Sequence, residues 1–255
     1  MYFDSHVHLD DKKFNPDREQ VIQAAKEAGI SLMLNPGADM ESSKKALDLA
    51  ETYPEIYAAV GIHPHDAQNQ KADDLQQLEA WSRHEKVVAI GEIGLDFHYD
   101  FSPRDIQRKC FQEQLELAKQ LELPVIIHDR DAHGDVFDLI KEAGVAKTGC
   151  VMHCYSGSAE MAMEYVKRGI YISLAGPITF KNARKTREVA EQVPLEKLFI
   201  ETDCPYLTPV PYRGKRNQPA MVTYVAEAIA QAKGITPEAV AHQTMENAKQ
   251  FFQIK

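Results

Sequence analysis

The chain has 255 residues, of which 44% are hydrophobic and 26% charged, a composition typical of a globular protein with a sizeable core. No apolar run approaches the roughly 20 residues that span a bilayer, and no leader-like segment follows Met1, so we expect neither a membrane protein nor a secreted one. The net charge of −9 argues against a broad phosphate-binding surface but leaves room for a local basic site.

Short apolar runs alternate along the chain with longer amphipathic segments. The apolar runs predict eight strands, at residues 2–4, 31–34, 57–61, 87–91, 124–127, 149–152, 171–174 and 198–200. Several are continuous aliphatic runs, which is typical of parallel strands buried on both faces. The amphipathic segments predict helices at residues 18–28, 42–51, 73–82, 103–121, 133–142, 159–168, 183–192, 219–233 and 237–252.

Strands that alternate with helices indicate parallel βαβ units, and eight such units predict a (β/α)8 TIM barrel in the α/β class. No linker or low-complexity tract divides the chain, so we expect a single domain over residues 1–255. The alternative fold is a doubly wound open sheet. That fold usually carries a glycine-rich loop after its first strand, where this chain has His6-Val7-His8-Leu9.

His6 and His8 follow the first predicted strand. In an extended chain, side chains two residues apart point to the same side, so both imidazoles can face one point. A His-x-His pair alone is weak evidence for a metal site. Its interpretation depends on whether other strands end in further ligands.

Other predicted strands also end in histidines and acids. In a (β/α)8 barrel the carboxyl ends of the strands form the active site. The residues found there are His63, His65, Glu92, Asp96, His128, His153, Glu201 and Asp203. Singly, each has a structural explanation, such as a hydrogen-bonded core histidine, a salt-bridged acid or a helix N-cap. Together they predict a divalent metal, because clustered buried ionisable groups need a compensating positive charge.

Cys154 and Cys204 each neighbour a predicted ligand. Because neighbouring residues in a strand face opposite ways, we interpret both as buried packing thiols rather than ligands. The four cysteines are dispersed along the chain, which favours reduced thiols and a cytoplasmic location.

The motifs resemble one family in particular. The segments His6-Val7-His8, Gly61-Ile62-His63-Pro64, Gly91-Glu92-Ile93-Gly94-Leu95-Asp96, Pro124-Val125-Ile126-Ile127-His128, Met152-His153-Cys154-Tyr155-Ser156-Gly157 and Glu201-Thr202-Asp203-Cys204-Pro205-Tyr206-Leu207 closely resemble those of the TatD metal-dependent deoxyribonucleases. That family belongs to the amidohydrolase-like barrel superfamily. The resemblance extends from residue 2 to about residue 250 and keeps the family order.

The resemblance implies two metal ions. His6, His8, Glu92 and Asp203 would hold the first, and Glu92, His128 and His153 the second, with Glu92 as the bridge. Imidazole and carboxylate donors without thiolate suit Zn, Mn, Fe, Co, Ni or Mg. We hypothesise that a metal-bound water ionises to hydroxide near neutral pH and attacks phosphorus, with Asp203 as general base.

Substrate contacts are predicted for a second group of residues. His63, His65 and Glu201 lie beside the predicted ligands, Arg130 can reach a phosphate, and Tyr155 can stack on a base. A basic loop with Arg213, Lys215 and Arg216 follows the last strand and favours a phosphate clamp over a solvated charge run.

The leading hypothesis is therefore a cytoplasmic two-metal phosphodiesterase. By resemblance, it would trim single-stranded DNA in the 3′→5′ direction, and nucleic acid would be its main partner, with no membrane and no obligate protein partner. One alternative is a hydrolase of small amides, lactones or phosphotriesters. Another is a non-catalytic binding protein with a relic site.

Overall fold

A computed structural model describes residues 1–144 and 149–255. It contains eight strands: β1 (Tyr2–Asp4), β2 (Ile30–Pro36), β3 (Ile56–Val60), β4 (Val87–Asp96), β5 (Val125–Arg130), β6 (Cys150–Met152), β7 (Tyr171–Leu174) and β8 (Leu198–Ile200). They belong to one sheet in the order β1 to β8. The pairs β1–β2, β3–β4, β4–β5, β5–β6 and β7–β8 are parallel. This order, with a helix after each strand, confirms the predicted (β/α)8 TIM-barrel fold class.

The described residues also form α-helices between and after the strands. They are α1 (Arg18–Glu27), α2 (Met40–Thr52), α3 (Asp74–Trp81), α4 (Arg104–Leu121), α5 (His133–Ala143), α6 (Ala159–Lys167), α7 (Arg184–Gln192), α8 (Val222–Lys233) and α9 (Pro237–Phe251). Each predicted helix is confirmed to within three residues at either end. Within the described ranges, no helix has the length and apolarity that crossing a bilayer requires.

Three strands are longer than the sequence predicts: β2 spans Ile30–Pro36 instead of residues 31–34, and β4 and β5 extend at their carboxyl ends. β4 runs five residues past the predicted end at Gly91, and β5 runs three residues past the predicted end at residue 127. The ladder between them continues through the pairs Ile93–Ile127 and Asp96–Arg130. Glu92 and His128 therefore lie inside strands rather than beyond their ends. The prediction ended both strands too early because polar residues follow the aliphatic runs, yet these residues still pair in the sheet, and those of β4 are buried.

The chain forms two compact units. Unit 1 comprises residues 1–35 and 154–255, and unit 2 comprises residues 36–153. The single domain over residues 1–255 stays a prediction. Each unit is described by itself below.

In unit 1 the first and last strands are neighbours. The Ser5 amide donates to the Ile200 carbonyl at 3.1 Å, and an isolated parallel bridge joins Val7 to Cys204. Aromatic rings pack beneath this seam: the centroid of the Phe199 ring lies 5.4 Å from that of Phe251. The hydrogen bond and the bridge place the chain after β1 directly beside the chain after β8.

Unit 2 contains β3 to β6. The buried side chain of Gln114 on α4 fixes the end of β3, since its Oε1 accepts from the Ile62 amide at 2.7 Å and its Nε2 donates to the Ile62 carbonyl at 2.9 Å. The backbone at Ile62 leaves the sheet, so without Gln114 its buried amide and carbonyl would lack partners. The residue that follows, His63, is held in place as a result.

Candidate metal centres

In unit 1, backbone hydrogen bonds hold the His-x-His segment against the chain beyond β8. The Asp203 amide donates to the His6 carbonyl at 2.9 Å, and the His8 amide donates to the Cys204 carbonyl at 2.8 Å. These bonds continue a parallel ladder, so His6, His8 and Asp203 lie at the same edge of the sheet. The prediction that His6 and His8 share one side is confirmed.

The side chains of these three residues converge. The Nε2 atoms of His6 and His8 are 3.2 Å apart, and Asp203 Oδ1 lies 3.4 Å from His8 Nε2 and 4.0 Å from His6 Nε2. Ligands held about 2.0–2.2 Å from a tetrahedral ion lie roughly 3.3–3.6 Å apart. Two of the three distances are close to this range and the third is longer, and the three atoms are near enough to one another to share one ion.

Asp4 is a positioning residue that the sequence analysis missed. It is fully buried, and its carboxylate accepts hydrogen bonds from the Thr202 amide at 2.8 Å and the Thr202 hydroxyl at 2.6 Å. Burial raises the pKa of Asp4 well above its ordinary value, and the Thr202 bonds oppose that shift. Asp4 thereby fixes the residue before Asp203. Its position at the buried end of β1 was the available signal.

In unit 2, glycines allow β4 to lie close to β5. A Cβ on Gly91 would lie 2.7 Å from Ile126 Cβ, and one on Gly94 would lie 2.0 Å from the His128 carbonyl oxygen. Gly94 also has a φ of +145°, which side chains rarely permit. The glycines of the Gly-Glu-Ile-Gly motif are thus needed for the strand contact that brings Glu92 and His128 together.

Glu92 lies among three imidazoles. Its Oε1 atom is 2.8 Å from His128 Nδ1 and 3.7 Å from the Nε2 atoms of both His63 and His153. The carboxylate is only 4% exposed. Glu92, His128 and His63 form a group whose donor atoms are close enough to share one ion, and His153 lies at its edge.

His128 lies between two carboxylates. Its Nδ1 faces Glu92, and its Nε2 lies 3.2 Å from Asp96 Oδ2. Burial lowers the pKa of His128, but the hydrogen bonds to Asp96 and Glu92 outweigh it and raise the pKa to about 9. Asp96 itself keeps a pKa well below its ordinary value, because hydrogen bonds from His128, the Tyr99 amide and His65 overcome its burial.

This arrangement is suited to metal binding at His128. A metal-ligating histidine commonly donates its second N–H to a carboxylate, which orients the ring and raises its basicity. Asp96 is placed to supply that carboxylate to Nε2 of His128. Asp96 was predicted only as one of the strand-end residues around a metal, with no individual role.

His63 has a different environment. Its Nδ1 accepts a hydrogen bond from the His65 amide at 3.2 Å, and burial, with the nearby His128 charge, lowers its pKa well below the ordinary value. A neutral ring whose Nδ1 accepts must carry its proton on Nε2. His63 therefore presents a buried N–H donor, whereas the Nε2 atom of His65 lies 2.8 Å from Asp96 Oδ2.

Both donor clusters fit divalent ions. Each combines imidazole nitrogen with carboxylate oxygen at short distances and low exposure, the donor set that suits zinc and neighbouring divalent metals. The number and identity of the ions stay predictions.

The two neighbouring cysteines differ from each other. Cys204 is fully buried, and burial raises the pKa of its thiol well above the ordinary value, in agreement with a packing role. Cys154 is only half-buried, so the prediction of a buried thiol is wrong there. The reason is local: residue 154 lies beyond β6 with a φ of +43°, and the strand alternation assumed for it does not apply.

The basic loop of unit 1 is divided between structural and exposed cations. Arg216 binds Asp17 through both terminal nitrogens, whereas Arg213 and Lys215 are exposed. The Arg213 guanidinium lies 4.1 Å from the centre of the Phe180 ring. Buried Asn217, which the sequence analysis did not single out, donates to the Thr202 and Tyr206 carbonyls and ties this loop to the chain after β8.

The remaining predicted substrate residues occupy varied environments. Glu201 is 1% exposed and accepts a hydrogen bond from the Cys154 amide at 2.6 Å. Tyr155 is 5% exposed and donates its hydroxyl to the Ser158 carbonyl. Arg130 is exposed at the end of β5. Substrate contact by these residues stays a prediction.

The fold class and the clustered histidine and carboxylate donors define a metal-dependent hydrolase of the TIM-barrel type. The chain belongs to the TatD related DNase family, whose family model matches residues 3–253. The resemblance inferred from the motifs is thereby confirmed.

Individual relatives cover the chain from end to end. It is 49% identical over 254 residues to the "uncharacterized metal-dependent hydrolase YabD" of Bacillus subtilis, with 100% of both chains covered. It is 36% identical to the "3′-5′ ssDNA/RNA exonuclease TatD" of Salmonella typhimurium, with 99% of each covered. The crystal structure of YjjV, a TatD homologue from Escherichia coli, superposes with a TM-score of 0.94 at 34% identity and covers 100% of this chain and 98% of that one.

Proposed function

We propose that this protein is a divalent-metal-dependent nuclease that removes nucleotides from the 3′ end of single-stranded DNA. The observation that carries the proposal is the donor set: imidazoles and carboxylates converge in each unit at distances suited to a metal ion. The substrate class is supported by a relative, 36% identical over nearly its whole length, that is named as a 3′-5′ ssDNA/RNA exonuclease.

In this proposal the ligands are those predicted from the sequence: His6, His8 and Asp203 for one ion, His128 and His153 for a second, with Glu92 contributing to both. Divalent ions, when bound, acidify a water molecule near neutral pH and offset charge on phosphoryl oxygens. That Glu92 contributes to both ions is an expectation from the family, and counting the bound metal ions tests it.

The side chains of the protein supply the remaining steps. Asp203 accepts a proton from the attacking water, a role open to it because its side chain is 15% exposed and faces His8. His63 contacts the substrate or supports Glu92, since its Nε2 lies 3.7 Å from Glu92 Oε1 at the edge of the donor cluster. Glu92 holds His128 in position from the neighbouring strand.

Exposed cations at the rim of unit 1 support a polyanionic substrate. Arg213 and Lys215 carry no ion pair among the described residues, and both are exposed. In a chain of net charge −9, such a local cluster attracts phosphates without coating the surface in positive charge. The cytoplasmic location stays part of this proposal and rests on the dispersed cysteines.

The test is a digestion of 5′-labelled single-stranded DNA by metal-reconstituted protein. We expect a ladder of shortened products that disappears with EDTA and with Glu92→Ala. Glu85→Ala serves as the matched control, because Glu85 is an exposed acid just before β4. Persistence of the ladder in EDTA would contradict the proposal.

A parallel panel of small amides, lactones and phosphotriesters addresses the alternative hydrolases. Turnover of these compounds without cleavage of DNA would replace the nuclease with a small-molecule hydrolase. Absence of both activities in protein with a full metal complement would indicate a binding protein instead.

A further inference from the structure

The loop between β4 and α4 exposes two aromatic rings in unit 2. Phe101 is 58% exposed and Tyr99 is 47% exposed, although large apolar residues at this exposure are few among the described residues. The two rings stack on each other, with centroids 5.2 Å apart and planes inclined by 23°. Two adjacent exposed rings form a flat apolar surface that the core of the protein does not use.

The loop that carries the rings is held rigidly. Asp96 Oδ1 accepts hydrogen bonds from the Tyr99 amide at 2.8 Å and the His98 amide at 3.0 Å. Buried Gln107 donates to the carbonyls of Asp96 and Ser102, at 3.1 and 2.7 Å. These hydrogen bonds fix the backbone of the loop from which both rings project.

This surface lies beside the metal-ligand candidates of unit 2. The His65 ring contacts both aromatic rings edge-on, with centroid distances of 4.8 Å to Phe101 and 5.5 Å to Tyr99. His65 and His128 in turn share the Asp96 carboxylate. Successive contacts through His65 and His63 join the rings to Glu92, so a group bound on the rings would lie beside the proposed metal ligands of unit 2.

A cation accompanies the rings. The Arg130 guanidinium lies 4.9 Å from the centre of the Tyr99 ring, and Arg130 has no ion-pair partner in the part of the chain that the structure describes. Aromatic rings with an adjacent arginine are the usual means of binding single-stranded nucleic acid, since rings stack on bases while the cation meets the backbone.

We propose that Tyr99 and Phe101 form a stacking platform for an unpaired nucleobase of the substrate, with Arg130 at the adjoining phosphate. The inference rests on the proposed nuclease function and extends it, because it explains how single strands are selected. A base within a duplex is already paired and stacked, so it cannot lie on the platform without unpairing. The class of ligand is thus a single-stranded end with at least one intact base near the cleaved bond.

The test compares intact and abasic strands on wild-type and variant proteins. Binding of a 5′-fluorescein octathymidylate with phosphorothioate linkages, which slow hydrolysis, is followed by anisotropy on metal-loaded protein. A second set of strands carries one abasic residue, moved in turn through the last four positions. The variants are Tyr99→Ala/Phe101→Ala, Tyr99→Phe as the conservative change, and Ile106→Ala. Ile106→Ala removes exposed apolar surface from the start of α4 without touching the rings.

We expect the double variant to bind the intact strand about tenfold more weakly, in the range of one base–aromatic stack. One abasic position should weaken binding to the wild type by a similar factor and have no further effect on the double variant. Tyr99→Phe and Ile106→Ala should retain wild-type affinity, and all variants should retain their metal. The platform would be overturned if the double variant lost the same factor in affinity for abasic strands as for the intact strand. Unchanged affinity of the double variant for the intact strand would also overturn it.

Binding and cleavage separate this inference from the proposed function. If the protein binds in a base-dependent way but cleaves no strand, the platform is supported and the proposed nuclease function is contradicted. If the protein cleaves strands yet binds abasic and intact ends equally, the nuclease function is supported and the platform is contradicted. If the wild-type protein binds no strand, both proposals are contradicted.

Discussion

Arg216 donates a hydrogen bond from each terminal nitrogen to Asp17, with Nη1–Oδ1 at 2.8 Å and Nη2–Oδ2 at 2.6 Å. Its guanidinium also lies 4.7 Å from the centre of the Phe14 ring. The pair joins the basic loop to the start of α1. Arg216 was predicted to contact substrate together with Arg213 and Lys215, but its geometry is that of an anchor for the loop.

Substitutions of Arg216 and Arg213 should therefore have different effects, one on stability and the other on binding. Arg216→Ala should lower the free energy of unfolding by about 1 kcal/mol, the scale of a partly exposed ion pair. Arg213→Ala should leave stability unchanged but weaken oligonucleotide binding and reduce its salt dependence. Urea denaturation and anisotropy titrations at several salt concentrations measure both effects. Equal loss of binding in the two variants, with no loss of stability, would make Arg216 a phosphate contact after all.

Metal counting tests the division of ligands. His6→Ala/His8→Ala should empty one metal position, since those residues supply two of the three converging donors in unit 1. His128 and His153 should still hold the other ion. Mass-spectrometric or atomic-emission metal analysis of folded protein gives the count, and Glu92→Ala should reduce both occupancies. Loss of both ions in the histidine double variant would mean that the predicted division is mistaken.

Asp203→Asn tests the proton acceptor. The amide keeps the size of the side chain and an oxygen donor but cannot take a proton near neutral pH. We expect the catalytic rate constant to fall by about 10²–10⁴, as for loss of a general base, at equal metal loading. Asp48→Asn provides a comparison, because Asp48 is an exposed carboxylate on α2 that has no proposed role in the site. Full activity of Asp203→Asn under matched metal content would remove the assignment.

The stability of the metal-free protein should depend on pH through the ionisation of His128. Its pKa is raised from 6.5 to about 9, so the folded state favours the protonated ring. The stabilisation it contributes is complete below about pH 6.5 and is lost as the pH rises through about 9. Denaturation of EDTA-treated protein between pH 6 and 10 should show this decline, and His128→Gln should abolish it. A flat profile for this part of the wild-type curve would contradict the raised pKa.

Gly94→Ala tests the contact between β4 and β5. The added methyl group would meet the His128 carbonyl oxygen at 2.0 Å, so the strands must separate. We expect a loss of several kcal/mol in unfolding free energy, as for other severe clashes at a special backbone conformation, and loss of metal from unit 2. Gly134→Ala is the matched control. Nothing lies within 4 Å of its added methyl, and alanine in a helix such as α5 is favourable. Similar behaviour of the two variants would contradict this account.

Local sequence patterns determined most of the fold. Aliphatic runs predicted the strands and amphipathic spacing predicted the helices. Such patterns work because burial and backbone geometry act over a few residues. They failed at the ends of β4 and β5, where buried polar residues such as Glu92 remain in the sheet.

The sequence also determined which residue types could bind metal, since a His-x-His pair and the strand-end acids can be recognised without coordinates. Only the tertiary structure decided how they are supported. Asp4 holds Thr202 across a separation of 198 residues, Asp96 orients His128, and Arg216 pairs with Asp17. The Tyr99–Phe101 surface likewise became visible only in the folded loop. These relationships depend on distances between remote segments, which hydrogen-bond and packing geometry fix only when the chain has folded.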